Sequence, residues 1–137
     1  MRAGLALQDI HPAVEAGVNQ GDLEALIALY AEDARMVTLD GSVAEGLDAI
    51  REQWKAVLAM NGTITVQTRY VIELGELALL SNSWTFRAGD EEMSAITCEV
   101  ARRGPDGRWL YLIDHPFAAE HSTHDARNKD NSPRPPA

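Results

Sequence analysis

Apolar residues in the first sixty positions recur every three or four residues, which is the spacing of amphipathic helices. In the clearest stripe, Leu23, Leu26, Ile27 and Tyr30 fall on one face of a predicted helix. Capping residues and glycines supply the helix boundaries. The predicted helices are one that begins after Asp9 and runs through Asn19, one that begins after Asp22 and includes Tyr30, and one over residues 47–60.

After Gly62 the apolar period changes to two, which indicates strands with one buried face. Short glycine-containing turns separate these segments, and strands joined by short turns pair antiparallel. The predicted strands are a short one at residues 34–39, one that begins at Ile64 and is broken at Gly75, and three at residues 77–87, 93–102 and 108–117. This order predicts an α+β domain, with helices covering one face of a curved antiparallel sheet.

Composition adds a boundary and excludes some partners. We assign residues 1–117 to one folded domain and predict that the polar, proline-rich residues 118–137 form a disordered tail. The net charge of −9 disfavours a nucleic-acid partner. No apolar run is long enough to span a membrane, and Cys98 is the single cysteine, so we expect a soluble, cytoplasmic protein. Without a phosphate loop or dinucleotide fingerprint, no cofactor is predicted.

Two segments carry a family resemblance. GDLEALIALYAEDARMVTLDGSVAEGLDAIREQW, which begins at Gly21, resembles the front half of SnoaL-like and ketosteroid-isomerase-like domains, and GRWLYLIDHPF resembles their final strand. The chain thus resembles the nuclear transport factor two-like superfamily from about Asp9 to Phe117. The resemblance implies a cone-shaped, strongly curved antiparallel sheet with three helices on the concave side, enclosing an apolar pocket. The superfamily holds isomerases, cyclases, dehydratases, epoxide hydrolases and non-catalytic modules, so fold alone leaves the function open.

The ketosteroid isomerase mechanism fits this sequence poorly. It requires a carboxylate base and two oxyanion donors, a tyrosine and a protonated acid. The resemblance places Thr38 at the base, Val14 at the donor tyrosine, and Cys98 or Glu99 near the second acid. Threonine is not a useful base and valine donates no hydrogen bond. The Asp-Arg-Asp set of epoxide hydrolases has no recognisable spacing here either.

The predicted catalytic residues are Asp114, His115 and Glu99. A cyclase-like site needs one acid/base pair, and neighbours on a strand face opposite sides unless a bulge intervenes. Without a bulge, His115 shares the face of Trp109, Tyr111 and Ile113, and Asp114 that of Leu110 and Leu112. If the side chain of Glu99 points inward, desolvation would raise its pKa. If it points outward, it could pair with Arg87 or Arg108.

Candidate ligand-binding residues are polar or amphipathic side chains on otherwise apolar elements. An unpaired buried polar group costs about 1–3 kcal/mol, so each should meet a partner, a ligand or water. For the aromatic members the alternative role is core packing. The candidates are Tyr30, Thr38, Trp54, Asn82, Trp84 and Thr97. We expect His11 to be solvated, and we predict no metal site from the tail pair His121 and His124.

Two functions remain open at this point. One is a pocket protein for a small apolar molecule, possessing isomerase- or cyclase-type acid/base chemistry. The other is a non-catalytic dimerisation or ligand-sensing domain of the same fold. In both cases we expect a homodimer formed through the sheet, because the last strands carry apolar residues on both faces, and a sheet covered on one side should be polar on the other.

Overall fold

The computed structural model describes residues 5–120, which form three α-helices and one six-stranded sheet. The predicted α+β class is confirmed. The helices are α1 (Ile10–Gln20), α2 (Leu23–Ile27) and α3 (Gly46–Leu58), with a 3-10 turn at Leu7–Asp9 before α1. The strands are β1 (Tyr30–Val37), β2 (Val43–Glu45), β3 (Thr63–Leu74), β4 (Leu77–Ala88), β5 (Glu91–Arg103) and β6 (Trp109–Glu120).

Gly21 ends the first helix and Asp22 begins the second, as predicted, but the second helix is shorter than predicted. Gly21 ends α1 in the left-handed conformation, at φ 65°. Asp22 caps α2, because its carboxylate accepts a hydrogen bond of 3.1 Å from the backbone N–H of Ala25. The prediction that Tyr30 lies on the second helix is wrong. It opens β1 and pairs with Tyr111 of β6, so a pairing distant in sequence overrides the local helical period.

The strands are ordered β2-β1-β6-β5-β4-β3. The four long strands, β3 to β6, pair antiparallel as predicted. However, β1 runs parallel to β6, so the sheet as a whole is mixed. Parallel pairing is possible because α3 and four strands separate β1 from β6 in the chain, whereas a short turn would force antiparallel pairing. The short β2, which the sequence pattern did not predict, pairs antiparallel with β1.

The last strand crosses the predicted domain boundary. β6 continues past residue 117 to Glu120, and Ala119 pairs with Ile96 of β5. The rest of the predicted tail, including His121 and His124, lies outside the described residues.

The helices pack against one face of the sheet, with α1 on β3 and α3 on β1. The core includes one fully buried residue from each helix, Ile10, Leu26 and Ile50, and Leu80 from β4. Helices α1 and α2 approach closely at Gly17, where an added Cβ would lie 2.7 Å from a methyl carbon of Leu26. No helix within residues 5–120 is long and apolar enough to cross a membrane.

Candidate functional site

A cavity of about 240 Å³ lies between helices α1 and α3 and the inner face of the sheet. Its walls are mainly apolar. Val14 contributes from α1, Trp54 and Val57 from α3, and Ile64 and Phe86 from the sheet. Among the polar residues that line it are Asn82, Thr97, Glu99 and Asp114. These four residues sit on the neighbouring strands β4, β5 and β6, so their polar groups lie together on the sheet side of the cavity, whereas the apolar lining comes from both the helices and the sheet.

Two carboxyl groups face each other across neighbouring strands on the cavity side of the sheet. Glu99 of β5 and Asp114 of β6 are direct cross-strand partners. Their exposures are only 2% and 5%. A like charge directly opposite in a buried setting is unfavourable, so the charge of Glu99 opposes ionisation of Asp114.

A bulge in β6 brings Asp114 into the cavity. The pairing steps from Val100 opposite Ile113 to Ala101 opposite Tyr111, so β6 contains one extra residue between the two pairs. The extra residue reverses the alternation of faces. Tyr111 and Asp114 therefore both line the cavity. The prediction that Asp114 shares a face with Leu110 and Leu112 is wrong for this reason.

Asp114 is held by a short chain of hydrogen bonds. The Tyr30 hydroxyl donates to Oδ2 of Asp114 at 2.5 Å, and Nε1 of Trp54 donates to the Tyr30 hydroxyl oxygen at 3.2 Å. Burial and the negative charge of Glu99 raise the pKa of Asp114 to about 7, against the opposing effect of the Tyr30 hydrogen bond. Burial also raises the pKa of Tyr30 well above its ordinary value, so Tyr30 remains a donor at neutral pH.

Glu99 is held by a second group of side chains. Nε2 of His11 lies 2.9 Å from Oε1 of Glu99, and the Asn82 amide donates to Oε2 at 3.2 Å. The other ring nitrogen of His11 lies 2.8 Å from the hydroxyl of Thr68. In the neutral ring, Nε2–H donates to the carboxylate while Nδ1 accepts from Thr68, so both nitrogens are satisfied. The alternative pairing of Glu99 with Arg87 or Arg108 is wrong.

His11 is a residue of the candidate site, in contact with Glu99, that the sequence reasoning missed. It is only 3% exposed, so the prediction of a solvated side chain is wrong. Its position beside the helix start suggested exposure. Spacing could have found it, because His11 precedes Val14 and Val18 by three and seven residues, and such residues share one helix face.

The remaining predicted residues divide between the cavity and other places. Trp54, Asn82, Trp84 and Thr97 line the cavity, and Tyr30 lies behind Asp114 as its hydrogen-bond donor. His115 does not line it: this half-buried residue pairs with Cys98, whose side chain points to the opposite face of the sheet.

Thr38 also lies outside the cavity. Its hydroxyl donates to Oδ1 of Asp40 at 2.6 Å in the turn between β1 and β2. Met36 of β1 and Leu39 of the following turn line the cavity nearby, so this part of the wall is apolar.

Metal-binding side chains are not grouped in the described part of the chain. Residues 5–120 contain no set of three or more His, Cys, Asp or Glu placed to hold a metal ion. The polar groups that the site offers include two carboxyls, their hydrogen-bond donors and the Asn82 amide.

An α+β domain whose helices and curved sheet enclose an apolar cavity is the architecture of the nuclear transport factor two-like superfamily. Within it, the chain belongs to the SnoaL-like domain family, whose model matches residues 13–112. The predicted superfamily is thus confirmed. A comparison with curated proteins finds no match.

Solved structures of low sequence identity share the fold. A cystatin-like domain of unknown function from Nostoc punctiforme superposes at TM-score 0.75 with 16% identity, over 90% of this chain and 82% of that one. An NTF-2 like protein of unknown function from Shewanella oneidensis has a TM-score of 0.71 and 18% identity, over 80% of this chain and 93% of that one. A ketosteroid isomerase-like protein from Erwinia carotovora atroseptica has a TM-score of 0.66 and 19% identity, over 80% of this chain and 90% of that one. At these identities the likeness supports the fold alone.

Proposed function

We propose that this protein is an enzyme that moves a proton on a small apolar molecule bound in the cavity, with Asp114 as the group that takes or gives the proton. The observation that carries the proposal is a carboxyl on the cavity wall whose pKa is raised to about 7. A catalytic acid or base works best when its pKa lies near the operating pH. Perturbed pKa values cluster at functional sites.

The neighbours of Asp114 have separate roles in this proposal. Tyr30 donates to one carboxyl oxygen, Oδ2, and leaves the other, Oδ1, to meet the substrate. Glu99 does not transfer the proton, because both of its oxygens already accept hydrogen bonds from His11 and Asn82. Its negative charge instead raises the pKa of Asp114. His11 and Asn82 are positioning residues that hold Glu99 in place.

The size of the cavity limits the substrate. A dry apolar cavity of about 150 Å³ accommodates benzene, whereas sites for drug-sized ligands measure about 300–1,000 Å³. At about 240 Å³, the cavity suits a compound of one or two rings. Isomerisation and cyclisation are the reaction types we favour, since each can proceed by proton transfer to or from carbon. The name of the Erwinia relative, a ketosteroid isomerase-like protein, agrees with this class.

A bicyclic probe tests the proposal without knowledge of the natural substrate. In 5-nitrobenzisoxazole a base removes the proton on C3, the N–O bond breaks, and a coloured cyanophenolate forms. We expect the rate to rise with pH through an inflection near 7, following ionisation of Asp114. Asp114→Asn should lower the rate by about 10²–10⁴-fold.

The matched control for this experiment is Asp90→Asn, which neutralises an exposed carboxylate in the turn between β4 and β5. It should leave the rate unchanged. Equal rates for the Asp114→Asn variant and the unmodified protein would contradict the proposal. They would favour the alternative, a non-catalytic domain that binds or senses a ligand.

We further propose that two copies pair through the outer face of the sheet. Ile72, Leu79, Val100 and Ile113 are successive cross-strand partners on β3, β4, β5 and β6, so they form one apolar row. Ile72 is 56% exposed and Ile113 is 44% exposed. A row of this kind on the face away from the helices indicates a protein contact, and a second copy presents the same uncharged row to match it.

A further inference from the structure

Asn82 sits at the centre of the cavity wall, with its backbone fixed on both sides. It lies in β4, opposite Thr68 of β3, and its backbone N–H donates to the hydroxyl of Thr97 in β5 at 2.9 Å. The residue is 4% exposed, and its side chain lines the cavity. The amide is therefore both rigidly placed and removed from bulk water.

Chemistry determines which way this amide points. Its Nδ2 lies 3.2 Å from Oε2 of Glu99. The carboxylate of Glu99 only accepts hydrogen bonds, so the NH₂ end of the amide must face it, and the reversed orientation would oppose two acceptors. Oδ1 of Asn82 then points away from Glu99. Among residues 5–120 this buried oxygen has no hydrogen-bond partner.

An unpaired buried acceptor favours ligands that can donate a hydrogen bond to it. Leaving it unmatched beneath an apolar ligand costs about 1–3 kcal/mol, whereas a ligand N–H or O–H restores the lost hydrogen bond. A second acceptor, such as a ketone oxygen, would be repelled. An ammonium group would have to lose its water in this mainly apolar cavity, and both oxygens of Glu99 already accept hydrogen bonds from His11 and Asn82, so a neutral donor is favoured.

We infer that the molecule bound in the cavity carries a neutral hydrogen-bond donor, a hydroxyl being the smallest, and that Oδ1 of Asn82 accepts from it. The inference rests on the proposed function and names its substrate class, a one- or two-ring apolar alcohol. The hydroxyl end lies against the sheet, beside the Glu99 and Asp114 row. The apolar body lies against Trp54, Val57 and the rest of the apolar wall.

Three bicyclic probes of nearly equal shape separate a donor from an acceptor. Indan-2-ol offers an O–H, indan-2-one offers only an acceptor oxygen, and indane offers neither. Binding is measured at pH 6 by tryptophan fluorescence, because Trp54 and Trp84 line the cavity. We expect the alcohol to bind about tenfold more tightly than either analogue, the difference of one satisfied hydrogen bond.

Asn82→Leu keeps a similar volume but removes the acceptor. It should abolish the advantage of the alcohol, and indane should bind at least as tightly as it does to the unmodified protein, which also shows that the cavity is intact. Thr85→Val is the matched control: it removes a polar group from the outward face of the same strand, where Thr85 contacts Ser94, and should leave all three affinities unchanged.

The remaining outcomes separate this inference from the proposed function. Equal binding of the three probes, or preference for the ketone, would overturn the donor inference while the cavity still holds an apolar ligand. An alcohol preference that survives in Asn82→Leu would assign the contact to another residue and also overturn it. Binding of none of the probes would overturn both the inference and the proposed apolar pocket.

Discussion

Replacing Asp114 by Asn should make the protein less sensitive to pH and more stable in mildly alkaline solution. The side chain of Asn has the same shape as that of Asp and can still accept the hydrogen bond from Tyr30, but it cannot ionise. In the folded protein, burial and the charge of Glu99 raise the pKa of Asp114 from 3.8 to about 7. The substitution therefore removes one titrating group and little packing.

The direction of this pH dependence follows from the number of protons bound in the folded and unfolded states. Between pH 4 and pH 7 the folded protein holds the Asp114 proton while the unfolded chain has lost it. The free energy of unfolding therefore falls as the pH rises through this window, and levels off above it. A rise in the pKa of Asp114 from 3.8 to about 7 corresponds to on the order of 4 kcal/mol. As the pH rises from 4 to 8, the free energy of unfolding of Asp114→Asn should therefore increase by about 4 kcal/mol relative to that of the unmodified protein.

Urea denaturation followed by tryptophan fluorescence, at unit steps from pH 4 to pH 8, measures this difference. The control is Asp90→Asn, whose carboxylate lies in an exposed turn and should produce no such trend. A stability difference between Asp114→Asn and the unmodified protein that stays constant with pH, within about 0.5 kcal/mol, would refute a raised pKa. The main support for Asp114 as a proton-transfer group would then be lost.

Three further substitutions test other parts of the structure. Glu99→Gln removes the charge that raises the pKa of Asp114, so the inflection in the 5-nitrobenzisoxazole rate should move to lower pH; an unmoved inflection would show that burial alone sets the pKa. His11→Leu leaves Oε1 of Glu99 without its donor and should lower the free energy of unfolding by about 2–4 kcal/mol in urea denaturation, while an unchanged stability would contradict the buried pair. Leu79→Lys places a charge in the outer apolar row and should shift sedimentation from dimer to monomer, whereas Glu92→Lys on an exposed position should not; a monomer in the unmodified protein would contradict the proposed assembly.

The predicted roles of the acidic residues depended on a feature that apolar alternation does not encode. Alternation along β6 suggested that Asp114 faces away from Tyr111, and one extra residue in the strand reverses that relation. A bulge of this kind arises from the register with β5, so it depends on the partner strand and not on the pattern of β6 alone. Glu99 needed no such correction, because β5 keeps regular alternation from Ala95 to Ala101.

The sequence by itself determined the class of the fold and most element boundaries. The change of apolar period at Gly62 separates helices from long strands, and glycines mark the turns, because both signals act over a few neighbouring residues. Only the tertiary structure decided that Tyr30 begins a strand parallel to β6, that His11 is buried against Glu99, and that Asp114 enters the cavity. The first two result from contacts between residues more than eighty positions apart, and the third from the register of β6 against β5. In each case the energy of burial and hydrogen bonding outweighs local preference.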